Sequence, residues 1–286
     1  MFLLRLLKSK LFGKLIFFLV VITGVFLVLL FFSSPAKTNT SLGTWWWDKN
    51  LNMDEYITFA SQNKVTEIYY CNYDLDENFV NLAEKAIKKN IKTYLLAGEK
   101  EWLLDRTGLD TLVEKYVQFQ NNHNNILAGI HLDIEPHQFD DFETNRANYL
   151  LKLVELIKTN KTTYPNICFD YDIPFWLNDQ ITFDGKTKDA YKFVLDYANR
   201  TFVMSYRDTA DEMIEVAKEE IAYAKQNKKT MFLCAETYST EGDNVSYFEE
   251  GKEYMMTELD KVRKEIPNNF GIAIHNIQTW KSLKNK

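Results

Sequence analysis

Residues 128–137, AGIHLDIEPH, place four titratable side chains in a short stretch that is otherwise mostly apolar. Side chains on a strand alternate between its two faces. Leu132 and Ile134 then share one face, and His131, Asp133 and Glu135 share the other. Three ionisable groups on the inward face of a core strand are costly to desolvate unless chemistry requires them there. Carboxylates at i and i+2 repel when both are charged, so one of the pair tends to keep its proton at neutral pH. That is the state a general acid needs.

Such a strand needs a scaffold that holds it rigidly, and the chain repeats one pattern from Thr40 onward. Apolar runs rich in β-branched and aromatic residues alternate with amphipathic stretches. The predicted strands are Gly43–Trp47, Thr66–Cys71, Lys92–Ala97, Leu127–Ile134, Ile167–Tyr171, Thr201–Ser205, Thr230–Ala235 and Gly271–His275. Asp76–Asn90 has acids in its first turn and lysines in its last, which suits a helix dipole. Arg146–Asn160 carries an apolar stripe at helical spacing, and Ala210–Gln226 and Tyr247–Glu265 read as helices too. Eight βα units over residues 41–286 predict an α/β fold of the (β/α)8 TIM-barrel type, for which ~250 residues is typical. An open doubly wound sheet usually has a glycine-rich turn after its first strand. Here that turn reads WWWDKNLN.

The active site of such a barrel forms at the C-terminal strand ends. The candidates there are Trp46, Asp74, Glu99, His131, Asp133, Glu135, Asp172, Trp176, Tyr206, Arg207, Asp208, Glu236, Tyr238, His275 and, just past the last strand, Trp280. At least one of Trp45–Trp47 must turn toward the barrel mouth, because three consecutive strand residues cannot share a face.

Composition narrows the class of ligand. The chain has 286 residues, 34 Lys+Arg and 40 Asp+Glu. Residues 1–37 hold five basic residues and no acid, so the remainder carries 29 basic against 40 acidic, a net of -11. So acidic a domain lacks the basic footprint that nucleic acid requires. Acidic side chains among many aromatics (6 Trp, 16 Tyr, 20 Phe) suit neutral sugars. Leu15 to Phe32 is an apolar run preceded by four basic residues, near the ~20 residues that span a bilayer. The positive-inside rule then predicts a cytoplasmic segment 1–14, a single-pass anchor 15–32, a linker 33–40, and a barrel on the extracytoplasmic side of the cell membrane. If the run is instead the apolar core of a signal peptide, the barrel is secreted. Cys71, Cys168 and Cys234 lie far apart in apolar runs, which predicts core residues rather than a disulfide framework. No cofactor or bound metal is expected.

GIHLDIEP, followed two strands later by MSYRD, resembles glycoside hydrolase family 18, the chitinase-like barrels, with their DxxDxDxE and MxYD motifs. Asp133 and Glu135 fall on that family's last Asp and its catalytic Glu, and Met204 and Tyr206 on its Met and Tyr. The resemblance implies a glycosidase in which Glu135 protonates the leaving oxygen. Asp133 and Tyr206 would steady an acetamido group of the substrate that acts as nucleophile. The motif is divergent: Ala128 and His131 replace two carboxylates, Arg207 stands where Asp is usual, and His275 stands about where a Trp is usual.

Three further readings remain open. Glu135 with Glu236 could form a retaining pair, for which the carboxyls must lie about 5–5.5 Å apart. The barrel could bind glycans without cleaving them. His131, Asp133, Glu135, Asp172 and His275 could instead serve a metal-dependent hydrolase.

Overall fold

Eight parallel strands close into a barrel in the computed structural model of this chain, which describes residues 40–239 and 244–285. The strands are β1 (Leu42–Trp46), β2 (Glu67–Cys71), β3 (Lys92–Ala97), β4 (Gly129–Leu132), β5 (Phe169–Pro174), β8 (Arg200–Met204), β9 (Thr230–Glu236) and β10 (Gly271–His275). They pair in that order, and β10 returns to β1. The helices are α1 (Met53–Gln62), α2 (Glu77–Ile87), α3 (Thr107–Asn122), α4 (Phe142–Thr163), α5 (Ala190–Tyr197), α6 (Ala210–Val216), α7 (Lys218–Gln226), α8 (Lys252–Glu265) and α9 (Ile277–Ser282). This is the α/β TIM barrel that the strand rhythm predicts.

Strand alternation divides the core in two. Outward residues such as Ile68, Leu95, Ile130, Leu132 and Val203 pack under the helices in one large apolar cluster. Inward residues form a second cluster of Trp45, Tyr69, Tyr94, Leu96, Phe202, Phe232, Cys234 and Ala273 that fills the barrel. Cys71 and Cys168 pack against this inner cluster, and all three thiols are free.

The predicted strands appear with their ends displaced by up to three residues. The expected strand Leu127–Ile134 is shortened to β4, although the ladder to β3 goes one step further: the Asp133 amide donates to the Ala97 carbonyl at 2.9 Å. The approach is close enough to require Gly98, where a Cβ would lie 1.8 Å from the Asp133 carbonyl oxygen.

Three features depart from the expected pattern, the first being that the helix expected over Tyr247–Glu265 begins only at Lys252, after Gly251 with φ 89°. The stretch Ala210–Gln226 is two helices, because Ala217 has φ -104 and ψ 12 at their junction. After β5 the chain makes an antiparallel hairpin, β6 (Gln180–Phe183) and β7 (Lys186–Asp189), before α5. Its turn is Asp184-Gly185 with φ of 50° and 71°, the conformation that an Asp-Gly pair adopts most easily.

No helix among the described residues is long and apolar enough to cross a membrane. The predicted anchor, its basic flank and all but the last residue of the linker lie outside the described residues.

Candidate active site

Short, well-capped turns set the site residues at the barrel mouth. Asp76 caps α2, accepting from the Asn78 and Phe79 amides, and also accepts from Asn72 Nδ2 at 2.9 Å, which ties the end of β2 to the helix start. Asn276 caps α9 immediately after His275, so the chain turns as soon as β10 ends.

His131 and Asp133 face the barrel interior, as alternation along β4 requires. The His131 ring is fully buried and stacks on Tyr69 at 4.1 Å between centroids, with Phe202 edge-on at 4.5 Å. Its Nε2 lies 2.8 Å from Asp172 Oδ2 and its Nδ1 lies 3.6 Å from Asp170 Oδ2. Burial disfavours the imidazolium, but the Asp172 and Asp170 carboxylates outweigh it and push its pKa up to about 9. The ring is therefore a buried cation at neutral pH. Asp172 Oδ2 also accepts from Trp45 Nε1 at 3.2 Å.

Asp133 is half-buried, but its Oδ1 is fully enclosed and has no hydrogen-bond partner. Desolvation, then the negative charges of Asp172 and Glu135, hold its carboxyl well above the usual carboxylate range, and His131 offsets only part of this. Tyr206 is raised too, by burial and then by Cys234, Glu236, Asp172 and Asp133, so its phenol remains a donor. Glu135 lies just outside the barrel, with its side chain 21% exposed. Gln138 Nε2 donates to its Oε2, and His137 Nε2 lies 3.6 Å from its Oε1.

Glu236 and His275 form a relay with Trp47. The Trp47 indole N–H can only donate, and it meets His275 Nε2 at 3.0 Å. The His275 proton must then sit on Nδ1, which donates to Glu236 Oε2 at 2.9 Å. Glu236 Oε1 accepts from the amides of Thr237 at 2.6 Å and Tyr238 at 2.8 Å. Both oxygens of Glu236 are thus engaged, in the manner of an orienting carboxylate rather than a free nucleophile.

Two of the expected tryptophans are displaced. Trp46 points outward from β1 and is buried against Tyr56 and Tyr70, its indole N–H donating to the Asp48 carbonyl. Trp280 is buried under the helices against Phe59. Neither reaches the mouth, because strand alternation sends Trp46 to the helix layer and α9 turns Trp280 the same way. Trp176 is half-buried on the flank, with the Arg146 guanidinium 4.7 Å over its ring and His137 edge-on. Arg207 folds back onto its neighbour, donating from Nη1 to the Tyr206 carbonyl, and covers Phe175. Asp208 is buried among Glu212, Glu249 and Glu258.

The ring that reaches the mouth is Trp47, which the sequence reading did not select. Alternation from the buried pair Trp45 and Trp46 would have found it. Trp47 lines an open cleft of about 580 Å3 with Asp48, Tyr73, Asp74 and Glu99. Asp74 and Glu99 are exposed here, Asp74 being 3.6 Å from Lys49, while Tyr238 stands on the opposite rim, 59% exposed. Among the described residues, no three His, Cys, Asp or Glu side chains are disposed to hold a metal ion.

No family model matches the sequence, and no curated protein matches it in sequence. Its fold matches solved structures. A chitinase from Bacteroides thetaiotaomicron superposes with a TM-score of 0.58 at 11% identity, over 84% of this chain and 90% of that one. The spore cortex-lytic enzyme SleL of Bacillus megaterium QM B1551 gives 0.52 at 14% identity, over 87% of this chain and 74% of that one. A GH18 chitinase from Cycas revoluta, in complex with (GlcNAc)3, gives 0.51 at 11% identity, over 84% and 95%. The likeness at these identities is one of fold: the domain resembles the glycoside hydrolase family 18 barrel, with His131 and Ala128 in place of two strand-motif carboxylates.

Proposed function

We propose that the barrel is a glycoside hydrolase acting on an oligosaccharide or polysaccharide of N-acetylated amino sugars, with Glu135 as general acid. The observation that carries this reading is Asp133 at the C-terminal end of β4, its Oδ1 enclosed and its carboxyl held well above the usual carboxylate range by burial and then by the charges of Asp172 and Glu135. The Asp133 carboxyl can hydrogen-bond an acetamido group, and the Tyr206 phenol, kept protonated by burial, is a donor close enough to feel the Asp133 charge. An acetamido oxygen held by those two groups is positioned to attack the anomeric carbon while Glu135 protonates the leaving oxygen. The engaged oxygens of Glu236 favour this substrate-assisted route over a Glu135/Glu236 pair. Trp47 supplies an aromatic face in the adjoining cleft. The apolar run 15–32 with its basic flank supports a single-pass anchor and an extracytoplasmic barrel.

One observation favours a second reading. Glu135 is tied to Gln138, a restraint that a glycan-binding barrel without turnover would tolerate better than an enzyme. Incubating the full chain with chito-oligosaccharides separates the two. Turnover that disappears in Glu135→Gln supports hydrolysis, and binding without turnover supports the second reading.

A further inference from the structure

A pocket on the flank of the barrel is bounded by the chain just past β5 and by the junction of α6 with α7. It has a volume of about 210 Å3 and is lined by Phe175 and Trp176 from the first and by Glu215, Lys218, Glu219 and Glu220 from the second. That is below the ~300–1,000 Å3 of sites for drug-sized ligands, so it suits a single small ring.

Glu220 sets this pocket apart. It is 2% exposed, yet it has no ion-pair partner among the described residues. Its carboxyl accepts a hydrogen bond from its own backbone amide and from no side chain among them. The titratable groups facing it are Glu219 on its own helix, and Asp189 and Tyr191 where the β6–β7 hairpin enters α5. Asp189 is already held by Lys192 at 2.6 Å. Acids this buried are normally paired, and desolvation pushes this one up to about 7. Packing alone does not call for an acid here, since Gln has the same shape without that cost.

The pocket supplies no free counter-charge. Lys218 is the cation of its lining, and Glu215 neutralises it at 2.5 Å. Glu219 and Glu220 are left without a cation, beside two aromatic rings. Both rings already attract cations: Arg146 lies 4.7 Å over Trp176 and Arg207 4.9 Å over Phe175. A primary ammonium satisfies both kinds of wall, because it pairs with a carboxylate and is drawn to an aromatic face. Trp176 also ties the pocket to the catalytic acid. His137 meets its ring edge-on at 5.4 Å, and His137 Nε2 lies 3.6 Å from Glu135 Oε1.

We propose that this pocket is a second sugar-binding site, taking one ring of a de-N-acetylated amino sugar with its primary ammonium paired to Glu220 and its apolar face on Trp176. The glycan then carries free amines as well as acetamido groups. That extension to the substrate rests on the glycosidase reading, but the ammonium site does not.

Calorimetry at pH 7 tests it on the full chain in detergent micelles, titrated with tetramers of glucosamine and of N-acetylglucosamine. The glucosamine tetramer should bind the unsubstituted protein. Its affinity should fall about tenfold or more in Glu220→Gln, which keeps the shape of the side chain and removes its charge. Affinity for the N-acetylated tetramer, whose nitrogens are uncharged, should be the same in both proteins. No binding of the glucosamine tetramer, an unchanged affinity in Glu220→Gln, or an equal loss for both tetramers overturns the proposal. If Glu220→Gln does not fold, NMR of the unsubstituted chain decides. The Trp176 indole signal, identified with Trp176→Phe, should shift on adding the glucosamine tetramer, and an unmoved signal overturns the proposal. Neither readout measures turnover, so failure here is distinct from failure of the glycosidase reading.

Discussion

His131 Nε2 lies 2.8 Å from Asp172 Oδ2, inside a barrel whose other inward residues are largely aromatic. A histidine thus stands where the family-18 motif has a carboxylate, and its charge is balanced from the neighbouring strand β5.

This ion pair makes stability depend on pH. The His131 pKa rises from 6.5 to about 9 on folding, so the folded state holds the proton more tightly. The stabilisation is fully present below pH 6.5 and is lost as pH rises through about 9. Its size is about 3 kcal/mol at 1.36 kcal/mol per pH unit. Urea unfolding across this range should show that decline in the unsubstituted chain. In His131→Gln the slope should be flatter, and stability at pH 6 lower, since Asp172 loses its partner. Equal slopes would show that His131 does not gain charge on folding.

Glu220 on α7 is a buried acid with no ion-pair partner among the described residues, and burial raises its carboxyl from 4.5 to about 7. Its folded state therefore prefers the neutral form, and ionising it costs stability as pH rises from 4.5 through 7. Glu220→Gln should stabilise the protein at pH 8 by about 1–3 kcal/mol and have little effect at pH 4. A thermal melt at each pH checks the sign, and a destabilised variant at pH 8 would refute it.

Gly98 can be tested sterically. Its Cβ position lies 1.8 Å from the backbone carbonyl of Asp133, which cannot rotate away as a side chain could. Gly98→Ala should cost about 1–3 kcal/mol and displace Asp133. Denaturant unfolding reads the first effect, and NMR shift changes at Asp133 and its neighbours read the second.

The barrel was legible in the sequence because the strands are apolar toward the helices and largely aromatic or apolar inward, and eight such runs recur with amphipathic stretches between them. His131 and Asp133 were legible for a related reason: polar side chains on an inward face interrupt that pattern visibly. The hairpin β6–β7 was missed although Asp184-Gly185 is a strong turn signal, because its short, exposed strands lack the apolar character used to find the others. The choice among the tryptophans also failed. Trp45, Trp46 and Trp47 are identical in type, and only the register of β1 decides which faces inward, outward or to the mouth. The relay from Trp47 through His275 to Glu236 joins β1, β9 and β10, and no local spacing encodes it.

Trp47 gives a prediction that depends on that register. Trp47→Ala removes the aromatic wall of the cleft and the donor to His275 Nε2. Oligosaccharide affinity should fall about tenfold, equivalent to ~1.4 kcal/mol, while Trp46→Phe, altered in the helix layer, should leave affinity unchanged. Calorimetry on both variants checks the contrast, and the opposite ranking would place the sugar elsewhere.

We propose above that Glu135, with Asp133 two residues before it at the end of β4, cleaves a glycosidic bond between N-acetylated amino sugars. The most direct test follows chito-oligosaccharide cleavage by the full chain and by Glu135→Gln, alongside binding of the same oligosaccharide. Product release by the unsubstituted chain, reduced about 100-fold or more in Glu135→Gln with binding retained, is the predicted result. Equal turnover in the two proteins would contradict it.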